Sequence, residues 1–168
     1  MSTSSGRFNG KYRGKVTNNS DPKNKGRIKV KVPAVLADKE LGWALACTPY
    51  GGPGVGFFFI PPINANVWVE FENGDPEAPI WTGCFWNPDD SNDNPPGSGT
   101  PDSKVIKTDV ATITIKDTKG QGGITIETTG GMKIVMDSSG IELNNNGSMK
   151  IKITQASVSV NDGDLEVV

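Results

Sequence analysis

From position 113 onward, one small hydrophobic unit recurs seven times: an apolar residue, one intervening residue, and a second apolar residue. The units are Ile113-Thr114-Ile115, Ile124-Thr125-Ile126, Ile134-Val135-Met136, Ile141-Glu142-Leu143, Ile151-Lys152-Ile153, Val158-Ser159-Val160 and Leu165-Glu166-Val167. Their starts lie 11, 10, 7, 10, 7 and 7 residues apart. Strict alternation over so few residues predicts very short strands, each with one apolar face and each followed by a turn. The intervening residues are polar except Val135, and glycines fall between the units, where sharp corners need backbone freedom.

Such a strand cannot bury its face alone. As a single-chain solenoid with three strands per coil, seven strands give barely two coils, fewer than the three or so repeats that stacks of this kind need. Three chains together supply about 21 strands, enough for a prism of about seven layers and ~34 Å at ~4.8 Å per layer. The apolar pairs then face a shared axis, and the expected trimer core is Ile113, Ile115, Ile124, Ile126, Ile134, Met136, Ile141, Leu143, Ile151, Ile153, Val158, Val160, Leu165 and Val167.

Before this repeat the pattern differs. Strand candidates fall at 11–16, 26–32, 43–48, 67–72 and 80–86, separated by turn formers at 18–25, 51–54, Pro61-Pro62 and Asn73-Gly74-Asp75-Pro76. In Val67-Trp68-Val69-Glu70-Phe71 the alternation places Val67, Val69 and Phe71 on one face. Five short strands in so short a stretch predict a small closed barrel, and closure removes the exposed edges. Nowhere do apolar residues keep helical spacing for the length of a helix, so the chain reads as all-β. The expected organisation is an N-terminal arm at 1–10, a barrel at 11–86, a Pro/Gly/Asp linker at 87–104 and a repeat domain at 105–168.

Composition removes several chemistries. The 168 residues include no histidine, which excludes Ser-His-Asp and Cys-His catalysis and imidazole metal sites. The apolar share is only 35%, low for a globular chain, which fits a core shared between chains. Cys47 and Cys84 each sit in an apolar run; a pair of buried free thiols is expected in preference to a disulfide. The N-terminus lacks the apolar core of a signal peptide, which predicts synthesis in the cytoplasm without one.

The net charge is −2, yet Arg7, Lys11, Arg13, Lys15, Lys23, Lys25, Arg27, Lys29 and Lys31 all precede position 32, where Asp21 is the single acid. With Trp43, Trp68, Trp81 and Trp86 these cations suggest one alternative, a nucleic-acid or glycan platform on the barrel. The chain's mild acidity argues against nucleic acid and favours protein contacts made through Arg7, Lys11, Arg13 and Lys15. Gly51-Gly52-Pro53-Gly54 lacks the lysine and helix of a phosphate loop. Asp89, Ser91 and Asp93 lack the glycine and glutamate that complete a calcium loop. The carboxylates Glu70, Glu72, Glu127 and Glu142 have no concave setting to split their pKa values. No catalytic residue, metal or cofactor is expected.

The stretch from Pro61 through Val67-Trp68-Val69-Glu70-Phe71-Glu72-Asn73-Gly74-Asp75-Pro76 to Trp81-Thr82-Gly83 resembles the OB-fold module of contractile-tail central spikes. That family comprises phage baseplate spikes, type VI valine-glycine-repeat spikes and the spikes of extracellular injection systems. Gly26-Arg27-Ile28-Lys29-Val30-Lys31-Val32-Pro33 and Trp43-Ala44-Leu45 are similar to its earlier strands. The resemblance implies a homotrimer with a five-stranded OB-fold barrel seated on a baseplate hub or tube, followed by an intertwined triple-stranded β-helix, or β-prism. It implies a non-enzymatic spike of a phage tail or tail-like particle that pierces a target envelope. The linker has no room for the lysozyme domain of some phage spikes, and a chain without histidine cannot carry the iron-binding His-x-His of others. A separate tip protein of the PAAR-repeat kind is therefore expected to dock on Leu165, Val167 and Val168.

Overall fold

The computed structural model describes residues 6–97 and 99–168. The first five residues of the expected N-terminal arm lie outside that range. The chain divides into two compact units, Met1–Asn94 and Pro95–Val168, the boundary falling inside the Pro/Gly/Asp-rich stretch.

The first unit is a barrel. Its strands are β1 (Tyr12–Asn18), β2 (Lys29–Lys31), β3 (Leu45–Ala46), the small hairpin β4 (Gly51–Gly52) and β5 (Val55–Gly56), then β6 (Asn66–Phe71) and β7 (Pro79–Cys84). Five of them make one sheet in the order β2-β1-β6-β7-β3. All neighbours are antiparallel except β3 and β7, which run parallel. The two edges then meet: Ile28 and Ala44 form an antiparallel bridge, with N–H···O contacts of 3.2 and 2.8 Å between them, and the Leu41 N–H reaches the Val30 carbonyl at 2.9 Å. The sheet thus curls into a closed ring, the OB barrel. A one-turn helix, Pro33–Leu36, follows β2, and no helix among the described residues is long and apolar enough to cross a membrane.

Alternation decides the barrel's inside. Val67, Val69 and Phe71 of β6 are buried, while Asn66, Trp68 and Glu70 between them are not. They pack with Val16, Ile28, Val30, Val32, Leu41, Ala44 and Trp81, and Trp81 satisfies its buried Nε1–H on the Gly26 carbonyl at 3.1 Å. Each fully buried aliphatic side chain contributes about 1.5–3 kcal/mol. Space inside is tight at Gly14, where a Cβ would lie 2.9 Å from a Val69 methyl. Asn73 and Gly74 both take positive φ in the β6–β7 turn, as their sequence requires. The chain before β1 folds onto that turn: the Phe8 N–H meets the Gly74 carbonyl at 2.9 Å, and its ring packs against Tyr12 and Phe71.

Asp21 is the buried charge of this unit. Its carboxylate receives the Arg27 guanidinium at 2.6 Å and the backbone N–H groups of Lys23, Lys25 and Arg27. The Arg27 contact, helped by those amides, outweighs the opposing burial and holds the carboxyl far below the usual carboxylate range. The sole acid among the first cations is therefore the clasp of the β1–β2 loop.

The second unit is a single meander of eight antiparallel strands in sequence order. These are β8 (Ser103–Lys107), β9 (Ala111–Lys116), β10 (Gly123–Thr128), β11 (Lys133–Asp137), β12 (Gly140–Asn144), β13 (Lys150–Ile153), β14 (Val158–Val160) and β15 (Leu165–Val167). All seven apolar triplets lie in strands. β8 is an additional one that the triplet rule does not detect, because Lys104 stands where an apolar residue would complete the unit.

Candidate assembly interface

The register of the meander aligns the triplets without a slip. Opposite one another stand Ile106, Ile113, Ile126, Ile134, Leu143, Ile151, Val160 and Leu165, one column running through all eight strands. Two residues further along each strand runs the second: Ile115, Ile124, Met136, Ile141, Ile153, Val158 and Val167, headed by Lys104. The ammonium of Lys104 is paired with Asp117. Because side chains two apart share a face, both columns lie on the same side of the sheet. The intervening Val105, Thr114, Thr125, Val135, Glu142, Lys152, Ser159 and Glu166 form a third line on the opposite side.

That apolar side is bare. No described residue of 99–168 is buried, and the buried apolar residues among those described all belong to the barrel. Strands β12 and β13 even invert the usual order: Ile141, Leu143, Ile151 and Ile153 are exposed, whereas Glu142 and Lys152 are half-buried. Every column from Ile113 to Val167 therefore presents a surface that costs about 25 cal/mol for each Å² left in water. At the last strand Leu165 and Val167 are exposed, with Val168 beside them at 97%.

The barrel shows a different distribution. Lys11 is paired with Glu70 at 3.0 Å and donates to the Thr82 hydroxyl. Arg13 lies over the rings of Trp68 and Phe85, which are themselves 4.6 Å apart. Arg7 and Lys15 are exposed. Of the four tryptophans, Trp81 is in the core, Trp68 is occupied by Arg13, and Trp43 by Arg27 and Lys29. Those two cations are in turn bound to Asp21 and Glu40, so Trp86 is left as the one with an open ring. A continuous base-stacking platform is not built here.

Two features of the barrel depart from the sequence reading. Cys47 and Cys84 are free but exposed; Cys47 lies just past β3 and Cys84 ends β7, so neither side chain enters the barrel. Burial of part of Cys84 still pushes its thiol pKa up. The second feature is an aromatic cluster on the β4–β5 hairpin, where Tyr50 and Phe57 pack edge to face and Phe57 stacks on Phe59. With Phe58 against Gly26, these rings are all more than half exposed. Three consecutive phenylalanines have no period, which is why alternation does not assign them a face.

The candidate carboxylates are engaged in surface ion pairs, Glu70 with Lys11 and Glu127 with Lys133. Among the described residues no group of three or more His, Cys, Asp or Glu side chains is placed to hold a metal ion.

Comparison with known families gives both units a match. Residues 12–86 match the type VI secretion system/phage-baseplate injector OB domain. Residues 103–166, beginning at the first residue of β8, match the phage baseplate V C-terminal trimerisation domain. No curated protein matches the chain significantly. The trimerisation family supports a homotrimer, and both families are structural components of a baseplate.

Proposed function

We propose a mechanical role for this chain, which belongs to the central spike family of contractile tails. Three copies pack their meanders as the walls of a prism, with the two apolar columns of each wall turned to the common axis. Sheet twist winds the walls around one another into a triple-stranded β-helix. The single observation that carries this reading is the pair of apolar columns, one through all eight strands and one through seven, on a one-layer sheet with no buried residue among those described.

Eight layers at ~4.8 Å give a shaft of roughly 38 Å, rigid because its ladder hydrogen bonds and axial core must break together. This is just short of a bilayer with headgroups, ~40–45 Å. The shaft would therefore open the target envelope while the tube behind it completes passage. The barrel joins the trimer to the baseplate hub or tube, with Arg7, Lys11, Arg13 and Lys15 as candidate contacts. Leu165, Val167 and Val168 form the surface on which a PAAR-type tip would seat. The role needs no catalytic step.

Native mass at micromolar concentration tests the assembly: a trimer is expected, and a monomer would overturn the reading. Deleting residues 165–168 should abolish co-purification of the tip protein while the trimer persists. Unchanged capture would remove the docking assignment.

A further inference from the structure

The apolar face of the meander is not centred on its sheet. The turns of a meander alternate between two lateral edges, and here the edges differ in chemistry. On one edge lie the wholly polar turn joining β14 to β15 and the turns joining β8 to β9, β10 to β11, and β12 to β13. The last three carry Val110, Met132 and Met149, exposed at 65%, 55% and 54%. Backbone pairs extend the ladder there, the Thr128 N–H to the Met132 carbonyl at 3.0 Å and the Asn145 N–H to the Met149 carbonyl at 3.2 Å. Met132 and Met149 therefore stand two residues beyond Ile134 and Ile151 on the same face, and together they line a trough of about 450 Å³.

The opposite edge holds the turns 117–122, 138–139 and 154–157, with Asp117, Ser138, Ser139 and Gln155. Its only large side chains are polar. There the apolar face stops at the second column.

We propose that the walls of the trimer close head to tail, the methionine edge of each copy lying inside the polar edge of the next and over that copy's second column. The occupant of the trough edge is thus a second copy of this chain, an extension that rests on the trimeric reading above. A three-fold ring is built from heterologous contacts, in which each patch meets a different patch. An off-centre apolar face meets that demand, since one edge can be covered and the other left in water. Methionine suits the seat, being flexible enough to fill the gap between two twisted sheets.

The test compares the edges in the full-length protein. Met132→Glu with Met149→Glu should raise the concentration of half-dissociation at least tenfold, because carboxylates would be buried unpaired. Ser138→Glu with Gln155→Glu should move it less than twofold. Equal shifts, or a larger one from the polar edge, would overturn the inference. Should the methionine variant not fold, cross-linking decides. In a Cys47→Ser/Cys84→Ser background, Met132→Cys combined with Ser138→Cys should give covalent trimers with a short bismaleimide. Efficient dimers from Met132→Cys alone would mean that like edges meet, which is incompatible with the proposal. A wild-type monomer would instead defeat the trimeric reading, whereas a wild-type trimer insensitive to its methionine edge defeats this inference alone.

Discussion

The two units use the same alternation of apolar and polar residues to opposite ends. In the barrel, β6 turns Val67, Val69 and Phe71 inward, and a sheet that closes on itself encloses them. In the meander, β12 and β13 turn Ile141, Leu143, Ile151 and Ile153 to one side, where all four are exposed among the described residues. Closure is what separates the cases. The barrel's edges meet through Ile28 and Ala44, while β8 and β15 are the far ends of an open sheet. A unit that encloses its own core folds alone, whereas one that lays its core on a surface is stable only as an assembly, with stability tied to concentration.

The harshest way to break this contrast is Ile126→Asp, which would place three unpaired carboxylates around one axis. No trimer should remain at micromolar concentration by native mass, yet tryptophan fluorescence from Trp81 should report an intact barrel. Loss of both signals together would mean that the units are not independent. The converse change, Val69→Ala, removes two methyls from a fully buried site and should cost the barrel about 2–3 kcal/mol in chemical denaturation. The native mass should stay trimeric.

What could be read in the chain follows from this difference. Period-two alternation identifies each of the seven triplets and the inward face of β6, because one residue in two must be apolar when one side is dry. The same rule misses β8, where Lys104 holds the second-column position and is tied to Asp117. It is silent on Phe57, Phe58 and Phe59, which lack alternation. It also places Cys47 and Cys84 inside, because their neighbours are apolar although the thiols themselves fall at strand ends. The register that turns separate triplets into two columns depends on turn geometry, which the pattern alone does not supply, and the asymmetry of the two edges becomes visible only once that register is known.

A smaller effect sharpens the barrel's side of the comparison. Asp21→Asn leaves the Arg27 guanidinium without its carboxylate and should lower the barrel's Tm at neutral pH by roughly 5–10 °C. Since the folded-state pKa of Asp21 is depressed, its contribution is complete above the unfolded value near 4. It is lost as pH falls from there toward the folded value. The gap between wild type and variant should therefore narrow in acid. Glu40, also depressed, through Thr17 first and then Lys29, is common to both proteins and cancels. A gap that is constant down to pH 2 would show that the clasp does not act through its charge.

The smallest expected effect is the most discriminating, because it lies one residue from a large one. Lys152 stands opposite Glu142 in the register on the polar side of β13, while Ile153 stands opposite Ile141 in a column. Lys152→Ala removes one surface charge from a cross-strand pair, worth at most ~0.5 kcal/mol per chain. The dissociation midpoint of the trimer should barely move, and added salt should shrink the change further. Ile153→Asp, the adjacent residue, should behave like Ile126→Asp. If Lys152→Ala instead dissolved the trimer, the polar line and not the apolar columns would face the axis, and the half-burial of Glu142 and Lys152 would be the trace of that inverted packing.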